Sequence, residues 1–236
     1  SEGVRRLIKA IRTDHQLVPG FLGVVTDLLE VPPGLEIAIE AAAGRSLENV
    51  VVKDYQDAQA AINLLKTRSW GRATFLPQKM LRNRAIGRRQ RESILVIPGV
   101  LGLGVELVRF APEHRPAIEH VLGRVLIVEN LDIGLQVFQE NSNLRIVTVK
   151  GDIINPSGAM TGGKYSGQAS SPLRMKASYR EELRGMKDQE GQMKTAVATL
   201  EQHSIKAQEL DAQIASLKQQ ISESVFQLDM LQQERE

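Results

Sequence analysis

The chain has 236 residues and no cysteine. That excludes a disulfide scaffold, a thiolate zinc site and a cysteine nucleophile, and it agrees with a reducing compartment. Aromatic residues make up only 4%, so any core has to be built from Val, Ile, Leu and Ala. No apolar run is long enough to cross a bilayer and no signal peptide opens the chain, so no membrane partner is expected. The chain begins at Ser1 inside a basic amphipathic stretch and reads as an excised fragment. Hydrophobic residues at 42% and charged residues at 25% are ordinary for a domain with a sizeable core. The formal net charge of +2 says little, but its distribution says more: nine basic residues and no acidic one lie between Lys66 and Arg91.

Three regions follow one another. In residues 1–13, Val4, Leu7, Ile8 and Ile11 stand at helical spacing among Arg5, Arg6, Lys9 and Arg12, as in the end of an amphipathic helix. Pro19-Gly20 then marks a turn. From about Phe21 to Gly163 the pattern is α/β. It predicts strands at 23–25, 50–52 and 73–76, the last stopped by Pro77. It also predicts a helix at 35–43 ended by Gly44 in a left-handed conformation, and one at 54–66 burying Ala58, Ala61, Ile62 and Leu65. The same order recurs as a helix at 116–122 ended by Gly123, a strand at 125–128, a helix at 131–140 and a strand at 144–149. Residues match too: Ile39-Glu40 and Gly44-Arg45 parallel Ile118-Glu119 and Gly123-Arg124. Two copies are too few for a solenoid, so they imply a pseudo-twofold, two-lobed domain.

Ser166 to Pro172 is small and polar, a linker. Beyond it Leu183, Met186, Met193, Val197 and Leu200 alternate three and four apart, with Glu190 as a polar insertion. Leu210, Ile214, Leu217, Ile221, Leu228 and Leu231 resume the pattern after a register shift. This is a coiled-coil strand, and its seam needs a partner helix. The stretch at 1–13 is the candidate, running antiparallel. The expected division is 1–15 for the end of an incoming helix, 16–172 for a mixed α/β domain of two lobes (about 16–98 and 99–172), and 173–236 for the outgoing helix.

Gly20-Phe21-Leu22-Gly23, Ala38-Ile39-Glu40 with Ala43-Gly44, Val50-Val51-Val52 and Ala73-Thr74-Phe75-Leu76-Pro77 resemble the hinge domain of SMC (structural maintenance of chromosomes) proteins of bacterial type. So does Thr148-Val149-Lys150-Gly151-Asp152 followed by Asn155-Pro156-Ser157-Gly158-Ala159-Met160-Thr161-Gly162-Gly163. The order of these motifs between two coiled-coil segments is the specific part. The resemblance implies a homodimer whose protomers meet sheet edge to sheet edge, with Gly151, Gly158, Gly162 and Gly163 at or near the contact. It also implies a cytoplasmic, nucleoid-associated role in chromosome condensation and segregation, and further subunits of an SMC complex outside this stretch. The ATPase heads of such proteins lie at the far ends of the arms, so no catalytic residue is expected here. Many members have a glycine where this chain has Ser157.

Other chemistry is poorly supported. Gly158 to Lys164 fits seven places of a phosphate-binding loop, but Tyr165 replaces the Ser or Thr that would hold magnesium, and a non-helical stretch follows. The four histidines, His15, His114, His120 and His203, show no ligand spacing. Asp152 fits a turn cap better than a base. No metal and no cofactor is expected. The remaining signal is basic: Lys66, Arg68, Arg72, Lys79, Arg82, Arg84, Arg88, Arg89 and Arg91 around Trp70 and Phe75. Such a run neutralises phosphates without sequence preference, and an exposed Trp70 could stack on a base. Arg5, Arg6, Lys9, Arg174 and Lys176 would extend the path. A solvated basic face, or arginines paired with carboxylates, stays open as the other reading. The alternatives are therefore an interaction module without DNA affinity and, more remotely, a nucleotide-binding enzyme using Lys164.

Overall fold

The computed structural model describes residues 2–82, 85–163 and 172–233. Arg84, Lys164, most of the expected linker, and the side chains of Arg174, Leu228 and Leu231 lie outside the described residues. The chain divides into a globular unit up to Ala177 and a second unit from Ser178 onward.

The globular unit is two copies of one path. The first runs α1 (Glu2–Thr13), β1 (Phe21–Val24), α2 (Val25–Leu28), β2 (Leu29–Glu30), α3 (Glu36–Ala43), β3 (Val50–Val52), α4 (Tyr55–Thr67) and β4 (Phe75–Pro77). The second runs α5 (Arg88–Leu95), β5 (Val100–Leu103), α6 (Gly104–Leu107), β6 (Arg109–Phe110), α7 (Arg115–Leu122), β7 (Val125–Val128), α8 (Leu131–Glu140) and β8 (Arg145–Thr148). In each copy the first main strand pairs antiparallel with the third, which pairs parallel with the fourth. Each first strand also carries a bulge, at Gly23 (φ +144°) and at Gly102 (φ +145°). A β-carbon there would press on Leu28 (2.8 Å) or Leu107 (3.3 Å), so the bulge and the close approach both call for glycine. β2 and β6 pair antiparallel with Glu30 opposite Arg109 and so join the copies.

Three apolar clusters hold this together. One, shared by the copies, contains Ile39 and Leu29 from the first and Ile118, Leu122, Ile127 and Val147 from the second. A second packs Val4, Leu7 and Ile11 of α1 against Val50, Val52, Ala61 and Leu65. A third packs Ile94 of α5 against Leu103, Leu126, Val137, Leu144 and Ile146. Burying side chains of this size contributes about 1.5–3 kcal/mol each, before the entropy cost.

Several expectations are revised. α5 belongs to the third cluster and opens the second copy, so a division at 98/99 cuts that copy in two. α1 does not keep its apolar stripe for a coiled coil: Val4, Leu7 and Ile11 are spent on the globular core. Ile62 is exposed, and Leu64 packs in its stead. Gly44 has a positive φ of 51° but ψ of −129°, so the chain runs on into a 3-10 turn instead of a left-handed cap. β4 starts at Phe75 and includes Pro77, which a strand tolerates at a sheet edge.

After β8 the sheet continues through β9 (Ile153–Ile154) and β10 (Met160–Thr161). The first sheet is thus β1-β3-β4 and the second β10-β9-β8-β7-β5. α9 (Pro172–Gln233) begins at Pro172, a residue suited to the first helical position because it donates no N–H. It runs unbroken through Gly185 and Gly191. In the second unit Met186, Met193, Leu200, Leu210, Ile214 and Ile221 are exposed, an open apolar seam.

Candidate dimer and nucleic-acid interface

The glycine segment folds as two linked turns at one sheet edge. Between β8 and β9 the buried Thr148 donates its hydroxyl to Asp152 Oδ2 (2.9 Å), and the Asp152 N–H donates back to Thr148 Oγ1 (3.0 Å). Gly151 closes the turn through its N–H to the Thr148 carbonyl (2.9 Å), at φ +93°. Between β9 and β10 the Asn155 N–H donates to the Ala159 carbonyl (2.8 Å), and Gly158 takes φ +85°. Asp152 Oδ1 accepts from the Gly163 N–H (3.4 Å), and a β-carbon on Gly162 would lie 2.9 Å from that oxygen. Asp152 is therefore a turn cap, as its place beside Gly151 suggests. Gly158, Gly162 and Gly163 are exposed on the outermost hairpin, whereas Gly151 is buried behind it. Gly158 sits in a β–β turn, not before a helix, which removes the context a phosphate-binding loop needs.

The basic run is split between the two copies. Lys66, Arg68 and Arg72 lie at and just after the end of α4, Lys79 and Arg82 follow β4, and Arg88, Arg89 and Arg91 ride on α5. Three have carboxylate partners: Lys79 with Asp54 (3.5 Å), Arg88 with Glu92 (2.8 Å) and Arg91 with Glu106 (2.6 Å). The hydrogen bond and charge of Glu106 hold the Arg91 guanidinium above its ordinary range. Among the described residues, Lys66, Arg68, Arg72, Arg82 and Arg89 are exposed and make no ion pair. Trp70 is half-buried against the α1 cluster, so it is a packing residue and not an exposed stacking platform. Its carbonyl lies 2.3 Å from where a β-carbon on Gly3 would be, which brings α1 up against the 70–72 turn. Along α1, Arg5, Ile8, Lys9, Arg12 and Thr13 line a groove of about 430 Å³. The groove is a second basic surface, to which Arg12 contributes alongside Arg5 and Lys9.

Two further cations differ. Arg145, at the start of β8, has a buried Nε with no hydrogen-bond partner, and burial pushes its guanidinium below its ordinary range. Lys176 is engaged with backbone carbonyls. No group of three or more His, Cys, Asp or Glu among the described residues could hold a metal ion.

Residues 18–138 match the family model described as SMC proteins Flexible Hinge Domain. The chain belongs to the SMC hinge family. It is 37% identical over 202 residues to the chromosome partition protein Smc of Bacillus subtilis, covering 85% of this chain and 16% of that protein. It thus spans about a sixth of that relative's length. The crystal structure of an asymmetric dimer of the Geobacillus stearothermophilus SMC hinge domain superposes with a TM-score of 0.73 at 36% identity, covering 86% of this chain and 78% of that one. The Pyrococcus furiosus SMC hinge domain gives 0.54 at 27% identity, covering 72% and 95%. The mixed helix-and-sheet domain followed by a long helix is the hinge architecture that the sequence motifs implied.

Proposed function

We propose that this hinge joins two SMC protomers by strand addition, the β4 edge of one protomer meeting the β10 edge of its partner. The observation that carries this is the asymmetry of the two sheets: one ends at β4, the other extends past β8 to an exposed glycine hairpin. A free edge offers unpaired N–H and C=O groups, and twofold symmetry lets two identical edge contacts close a dimer. Glycine at 158, 162 and 163 keeps the hairpin free of side chains where backbones would approach. Light scattering tests it. The parent is expected at twice 26.1 kDa, and the variant Gly158→Ala/Gly162→Ala/Gly163→Ala at the monomer mass. A parent that is monomeric at every concentration would falsify the dimer reading.

The second part is DNA contact through the unpaired cations Lys66, Arg68, Arg72, Arg82 and Arg89, together with the α1 groove. Binding of this kind releases counterions, so affinity falls with salt by a log–log slope of about −0.9 per phosphate neutralised on duplex DNA. The domain then acts in the cytoplasm, on the nucleoid, at the closed apex of a chromosome-organising complex. The competing reading is a protein-interaction module without DNA affinity, which the ion pairs of Lys79, Arg88 and Arg91 favour. A duplex titration at two salt concentrations separates them, since that module would bind at neither.

A further inference from the structure

The first turn of α9 is fastened to the first copy by two residues about one helical turn apart. Leu173 is 4% exposed and packs in the shared core with Val25 and Leu29. Lys176 directs its ammonium at the end of α2. Its Nζ donates to the carbonyls of Thr26 (3.0 Å), Asp27 (3.1 Å) and Leu29 (3.1 Å). α2 has only four residues, so few of its carbonyls find an N–H within the helix, and their lone pairs point outward at its C-terminal end. An ammonium carries three donors and no acceptor. It matches three converging carbonyls, and its charge complements the negative end of the helix. Leu29 also pairs across to Phe110 in the ribbon that joins the two copies.

We propose that Lys176 is a positioning residue that clamps the root of α9 to α2 and β2, and not a member of the DNA-binding surface with which its sequence position groups it. A phosphate contact would have to draw ammonium donors away from carbonyls that already accept them.

The test compares Lys176→Met, which keeps the apolar stem, with Lys176→Arg, which keeps the charge but presents a planar fork. Amide hydrogen exchange in residues 25–30 and 172–177 is expected to quicken by about tenfold or more in both variants, the factor implied by losing one charge-assisted hydrogen bond. Amides of α8 serve as the unchanged internal control, and the salt slope for a DNA duplex stays as in the parent. Unchanged exchange, with a slope reduced by about 0.9 in Lys176→Met and restored in Lys176→Arg, would overturn the proposal. If the parent binds no DNA, exchange alone decides. Should Lys176→Met fail to fold, acylation of the unmutated protein decides: Lys176 is expected to react far more slowly than the exposed Lys66, and equal rates would refute the clamp.

Discussion

At Gly20 and at Gly99 the two copies make the same turn under different lids. In both, this glycine's carbonyl accepts from the residue after the third strand, Lys53 in one (2.8 Å) and Glu129 in the other (2.9 Å). In both, the side chain at the third position of the following helix lies 2.0 Å from where a glycine β-carbon would be. In the first copy that side chain is Asp57, whose carboxylate accepts from the Gly20 N–H (2.9 Å) and the Asp54 N–H (3.2 Å). In the second it is Ile133, packed with the third cluster. One copy closes the turn with hydrogen bonds and the other with apolar contact. Ion pairing, by contrast, does not divide by copy. Among the described residues, Lys66, Arg68 and Arg72 at the end of α4 are unpaired while Lys79 pairs with Asp54, and on the second copy Arg88, Arg91 and Arg115 pair with Glu92, Glu106 and Glu119 while Arg89 is unpaired. The duplicated path has diverged: one copy locks this turn with a carboxylate and its sheet ends at β4, and the other locks it with apolar contact and carries the hairpin.

Glycine substitutions should break this comparison most. Gly3→Ala would drive a methyl into the Trp70 carbonyl, where backbone has to shift. It is expected to cost about 2–3 kcal/mol despite the better helix propensity of Ala. Gly87→Ala, at the N-cap of the equivalent α5 with nothing within 4 Å, should stay within about 0.5 kcal/mol. Urea unfolding of both variants checks the pair.

Asp57→Ala comes next. It removes the acceptor for two backbone N–H groups and should cost about 1–2 kcal/mol by the same assay. The cap before it gives a pH test. Desolvation works to raise the Asp54 pKa, but hydrogen bonds from the Asp57 and Gln56 amides, with Lys79, hold it below its ordinary value. A depressed carboxyl contributes stability above its unfolded pKa and loses it as pH falls through the folded one. The equivalent cap on α8 is Asn130, which does not titrate. Exchange in the first turn of α4 should therefore accelerate as pH falls below the ordinary carboxylate range relative to that in α8, and Asp54→Asn should remove the difference.

For DNA, Arg68→Ala/Arg72→Ala is expected to flatten the salt slope by about 0.9 for each phosphate no longer neutralised. Arg88→Ala/Arg91→Ala should change it by less than half as much, because those guanidiniums are already paired. The smallest effect is expected at Arg145. A desolvated cation without a partner gives little stability, so Arg145→Met should leave the unfolding free energy within about 1 kcal/mol, on the stabilising side.

Much of this fold was legible where segments are long and periodic. β3, β7, α4, α8 and the outgoing helix follow directly from apolar spacing. The short elements were not: α2, β2, α6 and β6 have four residues or fewer, below the length at which a period can be counted. α5 was hidden because only Ile94 of its eight residues is buried, and its arginines, glutamine and glutamate read as a charge run. A signal for the missed strand did exist. Pro19-Gly20-Phe21-Leu22-Gly23 matches Pro98-Gly99-Val100-Leu101-Gly102 in four of five places, and it would have placed β5 as the counterpart of β1. For the site, the glycines carried a backbone requirement that sequence can show. Arg91 pairs with Glu106, fifteen residues away, which sequence cannot show, whereas the Arg88–Glu92 pair has a four-residue spacing that is readable once α5 is known to be a helix.

The most direct test of edge-to-edge dimerisation uses the absence of cysteine from the chain. Thr74→Cys, exposed beside β4, and Thr161→Cys, exposed on β10, are made in chains of different mass and mixed under oxidising conditions. Pairing of β4 with the partner's β10 predicts a disulfide-linked dimer of mixed mass, with little from either variant alone. Equal linkage within each variant, or none in the mixture while light scattering still shows a dimer, would contradict it.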